Sequence, residues 1–216
     1  MKIGVLGTGV VGQAIGAKLL QLGHQVMMGG RSASDAKVLA FQQKTGAEGG
    51  DVAQAAAFGE LVIHCTRGDT AIAVLHRAGA ASLSGKILID ISNPLDFSRG
   101  FPPSLSIPSP DSLGELIQRE FPETLVVKTL NTVTASVMVD PGRIPGAHAV
   151  FVSGNDKPAK GKVMDLLRNF GWKEIIDLGD ISSARATEQM LSLWTRLYST
   201  LGTGEFNFAV MRRSDT

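Results

Sequence analysis

The chain is short of several things that would define other kinds of protein. Its 216 residues include one cysteine, Cys65, which excludes a disulfide scaffold and argues against a cysteine metal cluster. Because Cys65 ends an apolar run, it reads as a buried, inert thiol. Charge of one sign is not in excess: 21 Lys and Arg stand against 20 Asp and Glu, a net charge of +1. With no basic stripe and no acidic tail, neither nucleic acid nor a strongly charged partner is expected. No apolar run reaches the ~18 residues that span a bilayer, so no membrane association is expected. A strand-like run already begins at Ile3 and leaves no room for a signal peptide, which predicts a soluble, cytoplasmic protein. Repeats and low-complexity segments are missing too. The four histidines, His24, His64, His76 and His148, sit in strand-like or helical segments and read as structural. Neither an HxxxH nor a carboxylate cluster suggests a metal, and nothing resembles an acid–base triad. Asp90, flanked by apolar residues, reads as a buried carboxylate without a catalytic role.

What the chain does have is concentrated at its start. The apolar run Ile3–Leu6 leads into Gly7-Thr8-Gly9-Val10-Val11-Gly12, a GxGxxG between a strand and a helix. Gly7 allows the tight turn, Gly9 lets a pyrophosphate approach the backbone, and Gly12 lets the helix pack close to the strand. Apolar Ile15, Leu19, Leu20 and Leu22 suit one buried helical face, with Gly23 placed to end it. The free N–H groups and positive dipole end of this helix point at the phosphates. A second strand, Gln25–Met28, follows on schedule, which gives the motif the βαβ context of a dinucleotide site.

The end of that second strand selects the dinucleotide. NAD sites usually place an acid there for the ribose 2′-hydroxyl. This chain instead has Gly29-Gly30-Arg31-Ser32-Ala33-Ser34, and its first acid is Asp35. A guanidinium fork and the Ser32 and Ser34 hydroxyls suit a 2′-phosphate, and Lys37 can add positive charge. NADP is therefore expected over NAD.

Strand-like and helical segments alternate through the rest of the chain. Helices are expected at about 34–45, 51–58, 70–81, 112–120, 135–139, 158–170 and 183–201, with strands at 61–66, 86–91, 124–130, 149–153 and 174–178. Residues 96–110, rich in Pro, Ser and Gly, read as a long loop. This alternation predicts an α/β fold, a Rossmann-like doubly wound, mostly parallel sheet with a C-terminal helical appendage. Residues 1–180 are expected to form the NADP-binding domain, and 181–216 a helix and tail. Leu191, Trp194, Leu197 and Leu201 fall at helical spacing and read as packing or dimer surface. Ligands of such folds bind beyond the strands' carboxyl ends. That gathers Thr66 and Arg67 near the middle of the cofactor, with Asn93 and Asn131 nearer the nicotinamide. Hydride passing directly between stacked rings needs no catalytic side chain, only orientation, for which Asn131, Thr132, Val133 and Thr134 are the candidates.

Four segments carry a family resemblance: Ile3–Gly12, Gly30-Arg31-Ser32, Val126–Thr132, and Ser183–Glu188 through Gly202–Phe206. On these the chain resembles the NADPH:deazaflavin coenzyme oxidoreductases (coenzyme F-420-dependent NADP reductases) and related short dinucleotide-binding proteins. The resemblance implies Thr8, Gly9, Val10 and Val11 on the pyrophosphate and Arg31 and Ser32 on the 2′-phosphate. It also implies a homodimer built on the C-terminal helices, and a deazaflavin beside the nicotinamide near Asn131–Thr134 and Gly202–Phe206. Where the archaeal enzymes carry Leu-His-Thr-Ile-Pro, this chain carries Leu130-Asn131-Thr132-Val133-Thr134, so the acceptor stays open. A deazaflavin or flavin-like acceptor leads. A ferric chelate, a flavin, a small carbonyl or imine, and a non-catalytic NADP sensor are the alternatives. The β-hydroxyacid dehydrogenases share the first motif but carry a large helical second domain, for which this chain is too short.

Overall fold

The computed structural model describes residues 1–213. Strand β1 (Lys2–Leu6) leads into helix α1 (Val10–Gln21), strand β2 (Gln25–Gly30), helix α2 (Ala36–Thr45), strand β3 (Glu48–Asp51), helix α3 (Val52–Phe58) and strand β4 (Leu61–His64). Helices α4 (Ala71–Ala78) and α5 (Ala80–Leu83) precede strand β5 (Ile87–Asp90), and the short strands β6 (Leu95–Asp96) and β7 (Ser104–Leu105) pair with each other. Helix α6 (Leu113–Glu120), strand β8 (Leu125–Thr129), helix α7 (Ala135–Val139), strand β9 (Ala149–Gly154), helix α8 (Lys157–Phe170), strand β10 (Glu174–Asp177) and helix α9 (Ala184–Leu201) follow among the described residues.

The main sheet has eight strands in the order β10-β9-β8-β5-β4-β1-β2-β3. All neighbours are parallel except β8 and β9, giving the Rossmann-like α/β fold that the alternation predicts. The exception has a local cause. The connection from β8 to β9 contains no helix longer than α7, five residues, followed by a single 3-10 turn at Pro141–Arg143. At about 1.5 Å per residue such a helix is too short to carry the chain back along the sheet. Strand β9 therefore starts at the end where β8 stops. One core packs Ile15, Leu19, Val38, Phe41, Val163 and Phe170 on one face of the sheet. A second packs Ala55, Ala71, Leu75, Ile117 and Ala184 on the other.

Strand β3 is absent from the sequence reading. Its residues, Glu-Gly-Gly-Asp, lack the β-branched signature, and β2 recruits it as an edge strand. A Cβ at Gly49 would stand 2.5 Å from the Val38 side chain, so the glycines admit α2 over this edge. Asp51 belongs to no helix but caps α3, with Gln54 closing a capping box. The expected helix 70–81 is broken at Gly79 (φ 91°) into α4 and α5. Leu22, expected on the buried face of α1, lies just past its end and is exposed, while Gly12 and Gly16 join Ile15 and Leu19 in that face.

The order of strands reverses between β1 and β4, because β1 continues outward to β2 while β4 continues to β5 on the other side. That switch point opens a crevice at the strands' carboxyl ends.

Candidate active site

Two cavities that share Cys65, Thr66 and Arg67 occupy this crevice. The larger, about 500 Å³, is lined by Gly7, Thr8, Gly9, Gly30, Arg31, Asp35, Lys37 and, from α4 and the turn before it, Thr70, Ala73, Val74 and Arg77. The smaller, about 390 Å³, is lined by Val10, Val11, Asn93, Leu95, Phe97, Val133, Thr134 and Met138. Together they run from the end of β2, past the glycine turn, to the ends of β5 and β8.

The glycine turn divides its labour. Gly7 has φ 122°, a conformation that side-chain-bearing residues rarely adopt. A Cβ on Gly12 would collide with the Gly7 carbonyl oxygen, so Gly12 serves the packing of α1 against β1. Gly9 differs: its φ of −74° is ordinary, and a Cβ there would meet nothing within 4 Å. The protein does not need Gly9 bare; the space is left to something else. Gly9 is also the N-cap of α1, with no side chain capping the helix and no acid in its first turn. The uncapped N–H groups and this clearance fit the diphosphate of a dinucleotide.

At the other end of the larger cavity the Arg31 side chain is extended into solvent, 90% exposed, with its Nε 3.7 Å from Asp35. Asp35 lines the cavity as well, as the sequence reading did not foresee. Its carboxylate accepts from the Lys37 backbone N–H and caps α2. That bond, with the Arg31 charge, holds it below the usual carboxylate range. Ser32 and Ser34 are exposed, 3.1 Å apart at their hydroxyls, and line neither cavity.

Arg77 escaped the sequence reading. Its guanidinium donates to the Arg31 carbonyl at 2.8 Å, which makes it a fourth cation lining the cavity with Arg31, Lys37 and Arg67. A signal was available: Thr70, Ala73, Val74 and Arg77 are spaced i, i+3, i+4, i+7, one helical face, on the helix that follows a site-facing strand end.

In the smaller cavity the outcome is mixed. Val10, Val11, Thr66, Arg67, Asn93, Val133 and Thr134 are brought together. Asn131 and Thr132 are not; they are 4% and 2% exposed. Leu130 turns the chain there with φ 60°. The Asn131 amide then donates to Asn93 Oδ1 at 3.0 Å and to the Thr187 carbonyl at 3.1 Å, while Asn93 donates to the Asn131 carbonyl at 2.8 Å. Asn131 thus braces Asn93, which lines the cavity. Gly204 lies against Thr134, since a Cβ there would stand 3.2 Å from Thr134 Cβ. This brings the C-terminal tail beside the smaller cavity. Cys65 lines both cavities. Burial, then the nearby Asp90 charge, push its thiol far above the ordinary value and keep it protonated and unreactive.

Behind the crevice lies a buried charge network. Lys128 Nζ donates to Asp90 Oδ2 at 2.8 Å and to the Ser92 carbonyl, and lies 2.9 Å from Glu188 Oε1. Glu188, from α9, accepts in turn from the Leu113 and Gly114 N–H groups of α6. Asp90 Oδ1 accepts from Ser92 Oγ and N–H at 2.6 and 3.1 Å and from His64 Nδ1 at 2.9 Å. His64 Nε2 lies 2.6 Å from Thr66 Oγ1. Burial would raise the Asp90 carboxyl, but the Lys128 charge and the His64 hydrogen bond outweigh it and hold it well below the usual range. Burial likewise works against the Lys128 ammonium, and Asp90 and Glu188 more than offset it.

Fold, glycine turn and crevice define a dinucleotide-binding protein of the Rossmann type. Residues 2–94 match the family model described as NADP oxidoreductase, coenzyme F420-dependent. A crystal structure from Arthrobacter sp. FB24, of a protein proposed to be an F420-dependent NADP-reductase, superposes with a TM-score of 0.94. It is 50% identical, and the match covers 98% of this chain and all of that one. The F420-dependent NADP reductase of Methanocaldococcus jannaschii is 29% identical over 218 residues, 94% of this chain and 96% of that protein. Human metalloreductase STEAP2 is 27% identical over 210 residues; the match covers 89% of this chain but only 37% of that protein's length. The chain belongs to the family of coenzyme F420-dependent NADP oxidoreductases. It is an NADP-dependent oxidoreductase.

Proposed function

We propose that the protein passes a hydride between the nicotinamide of NADP(H) and a deazaflavin or flavin-like acceptor, coenzyme F420 foremost. The observation that carries this reading is the paired cavity: a cation-rimmed end at Arg31, Lys37 and Arg77 continues past the bare Gly9 backbone into a pocket of mixed polarity at the ends of β4, β5 and β8. The 2′-phosphate lies among the cations and the diphosphate on the α1 N-terminus. The nicotinamide lies over Asn93, Val133 and Thr134, and the acceptor stacks between it and the tail at Gly202–Phe206. Residues 1–180 hold the dinucleotide; 181–213 supply the acceptor wall and the surface of a homodimer, and residues 214–216 of the expected tail lie outside the described residues. Leu193, Tyr198 and Leu201 on α9 are large, apolar and exposed, which supports that dimer.

The test is mixing NADPH and oxidised F420 with the protein and following the loss of the deazaflavin's visible band. Turnover with F420 supports the reading. Turnover with a flavin or ferric chelate but not F420 would favour a second reading, for which the likeness to the metalloreductase speaks. NADPH binding without turnover on any acceptor would leave a sensor.

A further inference from the structure

The segment that begins at β6 and returns at β7 exposes two large apolar rings, Phe97 at 52% and Phe101 at 54%, and dinucleotide binding accounts for neither. Rings left in water on one short segment mark a surface that something else covers. Phe97 lines the smaller cavity with Asn93, Val133 and Thr134, the residues over which the nicotinamide is placed. Its backbone is held on both sides. Leu95 and Asp96 pair with Leu105 and Ser104 of β7. The Asp96 carboxylate accepts from the Ser98 N–H and hydroxyl at 2.8 and 2.9 Å, and the Phe97 carbonyl accepts from the Gly100 N–H at 2.9 Å. An ordered turn thus presents a ring that is itself half uncovered.

The aromatic surface continues from Phe101. Its ring centroid lies 6.5 Å from that of Tyr198, inclined at 59°, and Tyr198 stacks on Trp194 at 5.5 Å and 15°. A Cβ on Gly204 would stand 3.2 Å from Thr134 Cβ and 3.5 Å from Tyr198 Cδ2. Loop, α9 and tail therefore form a border that runs from Phe97 and Phe101 through Tyr198 and back to Thr134 in the cavity wall.

Resting on the hydride-transfer reading above, we propose that Phe97 is the stacking residue for the acceptor, its ring packed on the face of a planar, conjugated molecule. A compact acceptor without such a face gains nothing from it. The cavity holds about 390 Å³, so a ring system seated in it beside the nicotinamide cannot avoid the residues that line it. The cavity's inner wall is built from strand ends. The acceptor therefore enters from the solvent side, where Phe97 is uncovered. Phe97 takes no part in bond making; it binds the acceptor and turns its reacting face toward the nicotinamide.

The test is quenching of the fluorescence of oxidised F420 by the protein with NADP saturating, beside steady-state kinetics with NADPH, for the native chain and for Phe97→Ala, Phe97→Leu and Phe97→Tyr. All three variants alter a half-exposed ring, so melting temperatures should match the native one. Phe97→Ala should weaken F420 binding and raise its KM about tenfold, with KM for NADPH changed less than about twofold. Phe97→Tyr should keep the native values, and Phe97→Leu, apolar but without a ring, should lose affinity for F420. Native affinity for F420 in Phe97→Ala or Phe97→Leu would overturn the stacking role while the hydride reading stands. Equal losses for NADPH and F420 would overturn it too, by placing the ring on the nicotinamide, and so would a native protein that does not bind F420. If F420 binds in a Phe97-dependent way but NADPH never reduces it, the hydride reading falls and the stacking role stands.

Discussion

Lys128 and Glu188 meet at 2.9 Å with both side chains almost fully buried, and this contact ties β8 to α9. The ammonium also serves Asp90, so one cation answers two buried carboxylates. Lys128→Met keeps the volume but leaves both anions uncompensated. Removing one partner of such a pair typically costs about 3–5 kcal/mol. Urea unfolding should show a loss of that size, and a loss under about 1 kcal/mol would mean that water already reaches the network.

The same network sets the acid stability. The Asp90 carboxyl is held below its ordinary value of 3.8. Its contribution is therefore complete above that value and is lost as pH falls toward the lower folded one. Stability should drop through this acid window in the native protein, and less steeply in Asp90→Asn, as denaturant titrations at stepped pH would show. An equal slope in both would assign the acid transition to other carboxylates.

The proposed 2′-phosphate site draws its cations from two elements. Arg31→Ala should weaken NADPH binding by roughly 2–3 kcal/mol through lost charge-assisted bonds, with NADH scarcely affected. Arg77→Ala should also weaken NADPH, by about 1 kcal/mol, because it removes a donor to the Arg31 carbonyl as well as a nearby charge. Fluorescence titration with both nucleotides measures this. Equal losses for NADPH and NADH would refute the 2′-phosphate assignment.

Gly9→Ala and Gly12→Ala should part company. The new methyl at Gly9 meets no protein atom within 4 Å, so the melting temperature should hold while dinucleotide binding falls. The methyl at Gly12 runs into the Gly7 carbonyl oxygen, and overpacking of this kind costs about 1–3 kcal/mol. A thermal melt paired with an NADPH titration separates the two roles.

Leu193→Asp and Leu201→Asp change exposed positions of α9 and should leave the protomer folded. Sedimentation should show a dimer for the native chain and a shift toward monomer for the variants. A native monomer would reassign this face.

Legibility differed by element. Helix α7 falls on the expected residues 135–139, and β9, α8 and β10 lie within a residue or so of theirs, because their apolar periodicity and glycine stops are local signals. Strand β3 went unread because two glycines in four residues hide a strand that exists only through pairing with β2. Arg77 went unread because its place at the cavity depends on where α4 is docked. Asn131 was expected in the cavity, but the left-handed turn at Leu130 sends it inward.

The sequence by itself determined the βαβ opening, the glycine turn and the cation at the end of β2, since each depends on residues near one another in the chain. Only the tertiary structure decided that Arg77 joins Arg31, and that Asp35 lines the same cavity. The tertiary structure also decided that Asp90, Lys128 and Glu188, from three distant segments, close a buried network ending at Thr66. Partners separated by tens of residues carry no local pattern. Their meeting is fixed by the order of strands in the sheet and by the helices packed across it.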